Sequence, residues 1–162
     1  MADIREVHDG ELDRCAEVIR RGFQTVADDF GLTEERVPTN GAYIKTERLI
    51  ADRAKGNLMY ALTEDDRIVG FMQLENAGNG TFYLEKISVV PEYRHRGYGT
   101  ALLDFAREKA KEMGAHKLGI AIIEENGILK EWYIKNGCVP TGSKKFEHLP
   151  FTVGFLELSV GE

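Results

Sequence analysis

The apolar positions repeat with two different periods along the chain, and the places where the period changes mark out the elements. Ile4 to Val7 alternates weakly, as a short first strand would. From Glu11 to Gly22 the residues Leu12, Cys15, Ala16, Val18 and Ile19 return every three or four positions, which predicts an amphipathic helix. Thr25 to Asn40 is acidic and irregular and reads as loop, closing on the turn Pro38-Thr39-Asn40-Gly41. A second helix is expected from about Tyr43 to Lys55, ended by Gly56-Asn57. The pattern then changes. Leu58 to Leu62 and Ile68 to Leu74 read as strands joined by Thr63-Glu64-Asp65-Asp66, and Asn76 to Gly80 as a hairpin turn before a third strand, Thr81 to Val90. Helical spacing resumes from Tyr98 to Met113, with the stripe Leu102, Phe105, Ala106, Ala110 and Met113 and a left-handed stop at Gly114. Lys117 to Ile123 has the continuous apolar character of a buried strand. Gly127 to Asn136 is a short helix closed by Gly137, and Cys138 to Phe146 and Phe151 to Val160 are the last two strands.

The resulting order is β-α-α-β-β-β-α-β-α-β-β. A strand-helix-strand crossover in the middle requires locally parallel strands, and the hairpins require antiparallel ones, so the fold class is α/β with a mixed sheet. The 162 residues fit a single domain, 1–162, and the apolar share of 43% can fill one core. The net charge of −6, with Lys and Arg dispersed, argues against a nucleic-acid partner, because phosphate binding needs concentrated positive charge. Cys15 and Cys138 are far apart and outside any Cys-x-x-Cys pair, so neither a disulfide framework nor a metal site is expected. The N-terminal Met1-Ala2-Asp3-Ile4-Arg5-Glu6 has no apolar signal core, and no window reaches the length of a membrane span; a cytoplasmic protein with no membrane partner is the expectation.

The strongest chemical signal lies between a strand and the longest apolar-striped helix. Val89-Val90-Pro91-Glu92-Tyr93-Arg94-His95-Arg96-Gly97-Tyr98-Gly99-Thr100 puts two glycines where the chain turns into that helix. Glycine accepts positive φ and leaves no Cβ between backbone and ligand. The free N–H groups of a first helical turn, aided by the helix dipole, suit an anion. A ligand-free glycine turn has the same spacing, whereas a dinucleotide fingerprint would need a third glycine after a first strand.

Val-x-Pro-x-x-Arg-x-x-Gly-x-Gly, here Val89 to Gly99, resembles the CoA-binding signature of the GNAT N-acetyltransferases, and the element order resembles that fold over most of the chain. The resemblance implies acetyl-CoA as co-substrate, with its pyrophosphate on the backbone N–H groups of Arg96, Gly97, Tyr98, Gly99 and Thr100. It also implies that the backbone of Ile87, Ser88 and Val89 pairs with the pantetheine arm in a splayed gap between two parallel strands. Arg94, His95 and Arg96 could add charge near the phosphates or form a solvated basic loop. A second stretch, Asn126 to Cys138, matches the family with Asn126 at a helix start, the pair Trp132-Tyr133, and Gly137-Cys138. Asn126 and Tyr133 are seven apart, two helical turns, and so share one face. By resemblance Asn126 bonds the pantetheine, and the Tyr133 hydroxyl is the acid beside the CoA sulfur. A helix cap and a core aromatic are the plainer roles for the two.

An alkylamine must lose a proton before it attacks. Glu85, which interrupts the apolar run Phe82 to Ile87 and by alternation shares a face with Ile87 and Val89, is the first candidate for the base. A Lys-paired Glu85 on a strand edge, Glu124, Glu125 or solvent are the alternatives. The family resemblance places acceptor recognition on Phe23 to Phe30, with Asp28 and Asp29, and on Phe146 to Phe151, with His148 structural; exposed loop charges and a packed hairpin are the plainer reading of these residues. The expected reaction is transfer of acetyl from acetyl-CoA to a primary amine of a small molecule or peptide. A non-catalytic acyl-CoA-binding module on the same fold is the alternative. The apolar last strand leaves a homodimer open.

Overall fold

The computed structural model of the protein describes residues 2–161. Seven strands form one mixed sheet: β1 (Ala2–Glu6), β2 (Leu58–Glu64), β3 (Arg67–Gly78), β4 (Thr81–Val89), β5 (Lys117–Ile123), β6 (Val139–Lys145) and β7 (Thr152–Ser159), in spatial order β1-β2-β3-β4-β5-β7-β6. Four helices accompany it: α1 (Leu12–Asp29), α2 (Thr46–Ala54), α3 (Tyr98–Glu112) and α4 (Gly127–Lys135). The expected order of elements is therefore the observed one. Every neighbouring pair of strands is antiparallel except β4 and β5, which are parallel because α3 crosses between them.

Alternation assigns the faces of the central strands. On β3, Gly70, Met72 and Leu74 alternate with Phe71 and Gln73, and all five are buried, so β3 is covered on both sides. Gly70 lies under Leu102 of α3, while Gln73 reaches Asp52 of α2 on the opposite face. The main core is built from these two faces and the buried stripes Cys15, Ala16, Val18 and Ile19 of α1 and Leu102, Leu103, Ala106 and Ala110 of α3.

Helix α1 runs seven residues beyond the expected end at Gly22, into a stretch that reads as loop. Its true stop is Gly31, at φ +62°: the Leu32 N–H donates to the Ala27 carbonyl at 2.8 Å and Gly31 N–H to Asp28 at 3.4 Å, a left-handed C-terminal cap. The extra turns pay off in a second apolar cluster. Ala27, Leu32, Val37, Ala42 and Ile123 are buried there, with Phe23, Val26, Tyr43, Leu149 and Phe151 packed around them. The expected second helix is also divided. A 3-10 turn, Gly41–Tyr43, is capped by the Asn40 side chain, and extended Ile44 and Lys45 separate it from α2.

Gly22 has a different purpose. A Cβ there would sit 2.6 Å from the Ser88 Cβ, so α1 lies directly on β4. Gly22→Ala is expected to lower stability by about 1–3 kcal/mol, the cost of overpacking a filled core, which urea unfolding would measure.

Candidate active site

The parallel pairing of β4 with β5 is short. It joins Thr81 to Lys117, Phe82 to Leu118 and Tyr83 to Gly119, and then stops. Beyond it β5 stays paired to β7 as far as Ile123 with Val153, and β4 stays paired to β3 as far as Val89 with Gly70. Each strand is thus satisfied on its outer side, and their inner edges, 84–89 and 120–123, diverge into a notch lined by backbone N–H and C=O groups. Such edges call for an extended partner able to bond a strand. Ile87, Ser88 and Val89, the residues expected to do so, form the last part of the β4 edge.

Within that edge β4 carries a bulge. Phe71 faces Ser88 and Gln73 faces Glu85, so Met72 alone opposes both Lys86 and Ile87. Lys86 takes φ +56°, which places the extra residue. The bulge corrects one expectation. Unbroken alternation would put Glu85 in phase with Ile87 and Val89; the slip puts it in phase with Ser88, on the α1 and α2 face of the sheet.

At the end of β4 the chain passes through the 3-10 turn Pro91–Tyr93 into α3. His95 at φ +63° and Gly97 at φ +80° turn it sharply. Among the described residues, no backbone N–H from His95 to Thr100 finds a protein acceptor; the first bond of the helix is Ala101 N–H to the Gly97 carbonyl at 3.0 Å. A run of unmet donors beside a notch of open strand edge fits the diphosphate and the amide-bearing arm of CoA.

The basic side chains of this loop do other work. Arg94 donates from Nε to the Val89 carbonyl at 3.3 Å, from Nη1 to Thr25 Oγ1 at 2.9 Å and from Nη2 to the Gly22 carbonyl at 2.7 Å. It staples the loop to α1, and burial lowers its pKa. Arg96 stacks over the Tyr93 ring at 4.8 Å and reaches Glu64 on β2 at 3.3 Å; the Tyr98 hydroxyl donates to the same carboxylate at 2.7 Å. Only His95 is exposed without a side-chain partner among the described residues. The cradle is therefore a main-chain device whose side chains shape it.

Helix α4 starts at the far end of β5. The Asn126 side-chain oxygen accepts from Leu129 N–H at 3.2 Å, the plain capping role, and its amide N–H groups have no partner among the described residues. Two helical turns further on, Tyr133 is 3% exposed and its ring meets Trp132 edge-on, with centroids 4.9 Å apart. A Cβ on Gly99 would lie 3.2 Å from the Trp132 ring, so Trp132 packs α4 against the first turn of α3. The Tyr133 hydroxyl has no protein hydrogen-bond partner among the described residues, and burial holds it protonated well above the ordinary tyrosine range.

Glu85 is half buried, and Gln73 Nε2 donates to its Oε1 at 3.0 Å. Burial raises its pKa, against the opposing pull of Lys86 and Gln73. The rival carboxylates are engaged elsewhere: Glu124 grips Lys130 Nζ at 2.9 and 3.1 Å, and Glu125 accepts from Thr152 N–H at 3.1 Å. Of the residues expected to recognise the acceptor, Phe23, Leu149 and Phe151 pack against the second apolar cluster, which includes Ile123, whereas Asp28 and Asp29 are exposed at the end of α1. His148 is exposed beside the Phe146 ring. The sequence reading passed over Gln73 and Asp52; the signal available was a lone glutamine inside the apolar run Ile68 to Leu74.

Comparison with known proteins agrees with this geometry. A family model described as the acetyltransferase (GNAT) family matches residues 23–137. The chain is 26% identical over 150 residues to an uncharacterised N-acetyltransferase in the pepI 3′ region of Lactobacillus delbrueckii subsp. lactis, covering 85% of each. Its fold matches the ribosomal-protein-S18-alanine N-acetyltransferase of Escherichia coli with a TM-score of 0.80 at 14% identity, over 100% of this chain and 96% of that one. It also matches the PaiA N-acetyltransferase of Thermoplasma acidophilum, crystallised with coenzyme A, with a TM-score of 0.76 at 18% identity, over 98% and 99% of the two chains.

Proposed function

The chain belongs to the GNAT family of acetyltransferases, and from that premise we propose that it transfers the acetyl group of acetyl-CoA to a primary amine of a small molecule or peptide, by direct attack within a ternary complex. The observation that carries this reading is the run of unpartnered N–H groups from His95 to Thr100 at the mouth of the β4–β5 notch. Coenzyme A on a structural neighbour of the same fold supports it.

In the proposed complex the N–H groups of Arg96 to Thr100 hold the diphosphate, with Arg94 and His95 completing the loop. The β4 edge from Ile87 to Val89 pairs with the pantetheine, and the free amide of Asn126 donates to it from the other wall. Glu85 takes a proton from the ammonium group, directly or through water. The freed amine bonds to the thioester carbonyl carbon, the carbon–sulfur bond breaks and Tyr133 gives its proton to the departing thiolate; the second proton of the attacking nitrogen restores the Tyr133 hydroxyl, and Glu85 passes the first to solvent. The roles suit the two environments. Burial makes Glu85 a stronger base than a solvated glutamate, and it keeps the Tyr133 hydroxyl protonated as a hydrogen-bond donor to the departing thiolate; the same burial makes Tyr133 a weaker acid, so its full proton moves only as the attacking nitrogen supplies another. The aromatic residues packed on the second apolar cluster and the carboxylates Asp28 and Asp29 suit an acceptor with an apolar body and a cationic end.

The test is release of free thiol from acetyl-CoA across a panel of amines, with product mass read in parallel. Acetylated amine and stoichiometric CoA are the expected products. Tight CoA binding with no thiol release for any amine would favour a non-catalytic acyl-CoA-binding module, and an O-acetyl product would remove the amine.

A further inference from the structure

On the α2 face of the sheet, the Gln73 amide joins two carboxylates. Gln73 is fully buried, and its Nε2 donates to Asp52 Oδ2 at 3.1 Å and to Glu85 Oε1 at 3.0 Å. Its Oε1 is buried with no partner among the described residues. The orientation of the amide is forced: turned over, it would aim an oxygen at two carboxylate oxygens. An unmet buried acceptor is destabilising, so stability is given up to aim both N–H groups at acids. Glutamine is the side chain that can do this, having two donors on one nitrogen and no charge.

Asp52 is held as an anion. Burial raises its pKa, but Gln73, Lys86 and Arg48 together outweigh burial and lower it. Arg48 Nε lies 3.1 Å from Oδ1, and Lys86 Nζ lies 3.2 Å from Oδ2. Lys86 reaches this position from the bulge, at φ +56°, and so turns towards Asp52 while its neighbour Glu85 is left with Gln73 as its hydrogen-bond donor among the described residues. The remaining charges around Glu85 are Glu75 on β3 and Lys55 just past the end of α2, which pair with each other at 2.8 Å.

We propose that Gln73 is a positioning residue for the general base: anchored on Asp52, it fixes the Glu85 carboxylate through one oxygen and leaves the other for the proton it must take. The inference rests on the reading of Glu85 as the base. Anchored on Asp52, the amide keeps its second N–H aimed at Glu85 and favours the rotamer that accepts from it before the acceptor arrives. That is the preorganisation a base needs. The bond also favours the charged form of Glu85 and sets how far burial can raise its pKa.

The test uses Gln73→Met, which keeps length and removes the donors, beside Glu85→Gln. Carbon-detected NMR titration of the free enzyme, with the Glu85 signal assigned by its loss in Glu85→Gln, should show the Glu85 pKa moving up by about one unit in Gln73→Met. The acidic limb of kcat/KM should move up with it, and the KM for acetyl-CoA should stay unchanged. In the wild-type enzyme the Gln73 side-chain N–H signals should shift with the Glu85 midpoint, a measurement that needs no variant to fold. An unmoved Glu85 titration, or Gln73 signals that ignore it, overturns the inference alone. A Glu85→Gln enzyme with full rate, or a titration that moves while the rate profile does not, removes Glu85 as the base and the inference with it.

Discussion

Gly97→Glu should weaken acetyl-CoA binding by at least about a hundredfold, or roughly 2.7 kcal/mol, while leaving the unliganded fold intact. Gly97 is exposed at φ +80°, and a Cβ there meets nothing within 4 Å, so no packing is lost. Glutamate in the left-handed region costs about 1–2 kcal/mol. The larger effect is electrostatic: the new carboxylate lies among N–H groups waiting for an anion, where it competes for them and repels a diphosphate. Gly97→Asn is the control, since asparagine tolerates positive φ and brings no charge; its affinity should fall only a few-fold. Wild-type affinity of Gly97→Glu in calorimetry would remove the cradle from the binding site.

Tyr133→Phe should lower kcat at least tenfold, about 1.4 kcal/mol of barrier, with the dissociation constant for acetyl-CoA nearly unchanged. The substitution is unusually clean. The hydroxyl has no protein partner among the described residues, so its removal orphans no donor or acceptor and leaves the contact with Trp132 in place. Thermal stability should hold or rise slightly. A variant as fast as the wild type would mean that solvent protonates the thiolate, and Tyr133 would be a core aromatic only. A variant that loses cofactor affinity as much as rate would point to a packing role instead.

Much of this architecture is legible in the residues because each signal is local. Alternation and helical spacing depend on near neighbours, and they gave the order of elements and strand β5 to the residue. The motif from Val89 to Thr100 is equally local: the role proposed for it lies in the main chain, and the glycines that shape the turn announce it. What escaped depends on contacts between distant segments. Helix α1 extends past Gly22 because Phe23, Val26 and Ala27 have apolar partners in the loop after it and near Phe151, which no helix-local pattern reveals. The phase of Glu85 escaped because a bulge is a property of two strands together. Arg94 reads as a phosphate contact in the linear sequence, yet three acceptors on α1 and β4 claim its guanidinium. Gln73 and Asp52 lie 21 residues apart, and nothing in either segment alone signals that they meet.

The most direct test of the account is an amide NMR titration of the enzyme with CoA, compared with pantetheine, which lacks the diphosphate. CoA should shift the N–H signals of His95 to Thr100 strongly downfield together with those of the β4 edge from Ile87 to Val89, while pantetheine should move only the β4 edge. If CoA binds with full affinity and leaves the His95 to Thr100 amides where they were, the cofactor lies elsewhere and the account is wrong.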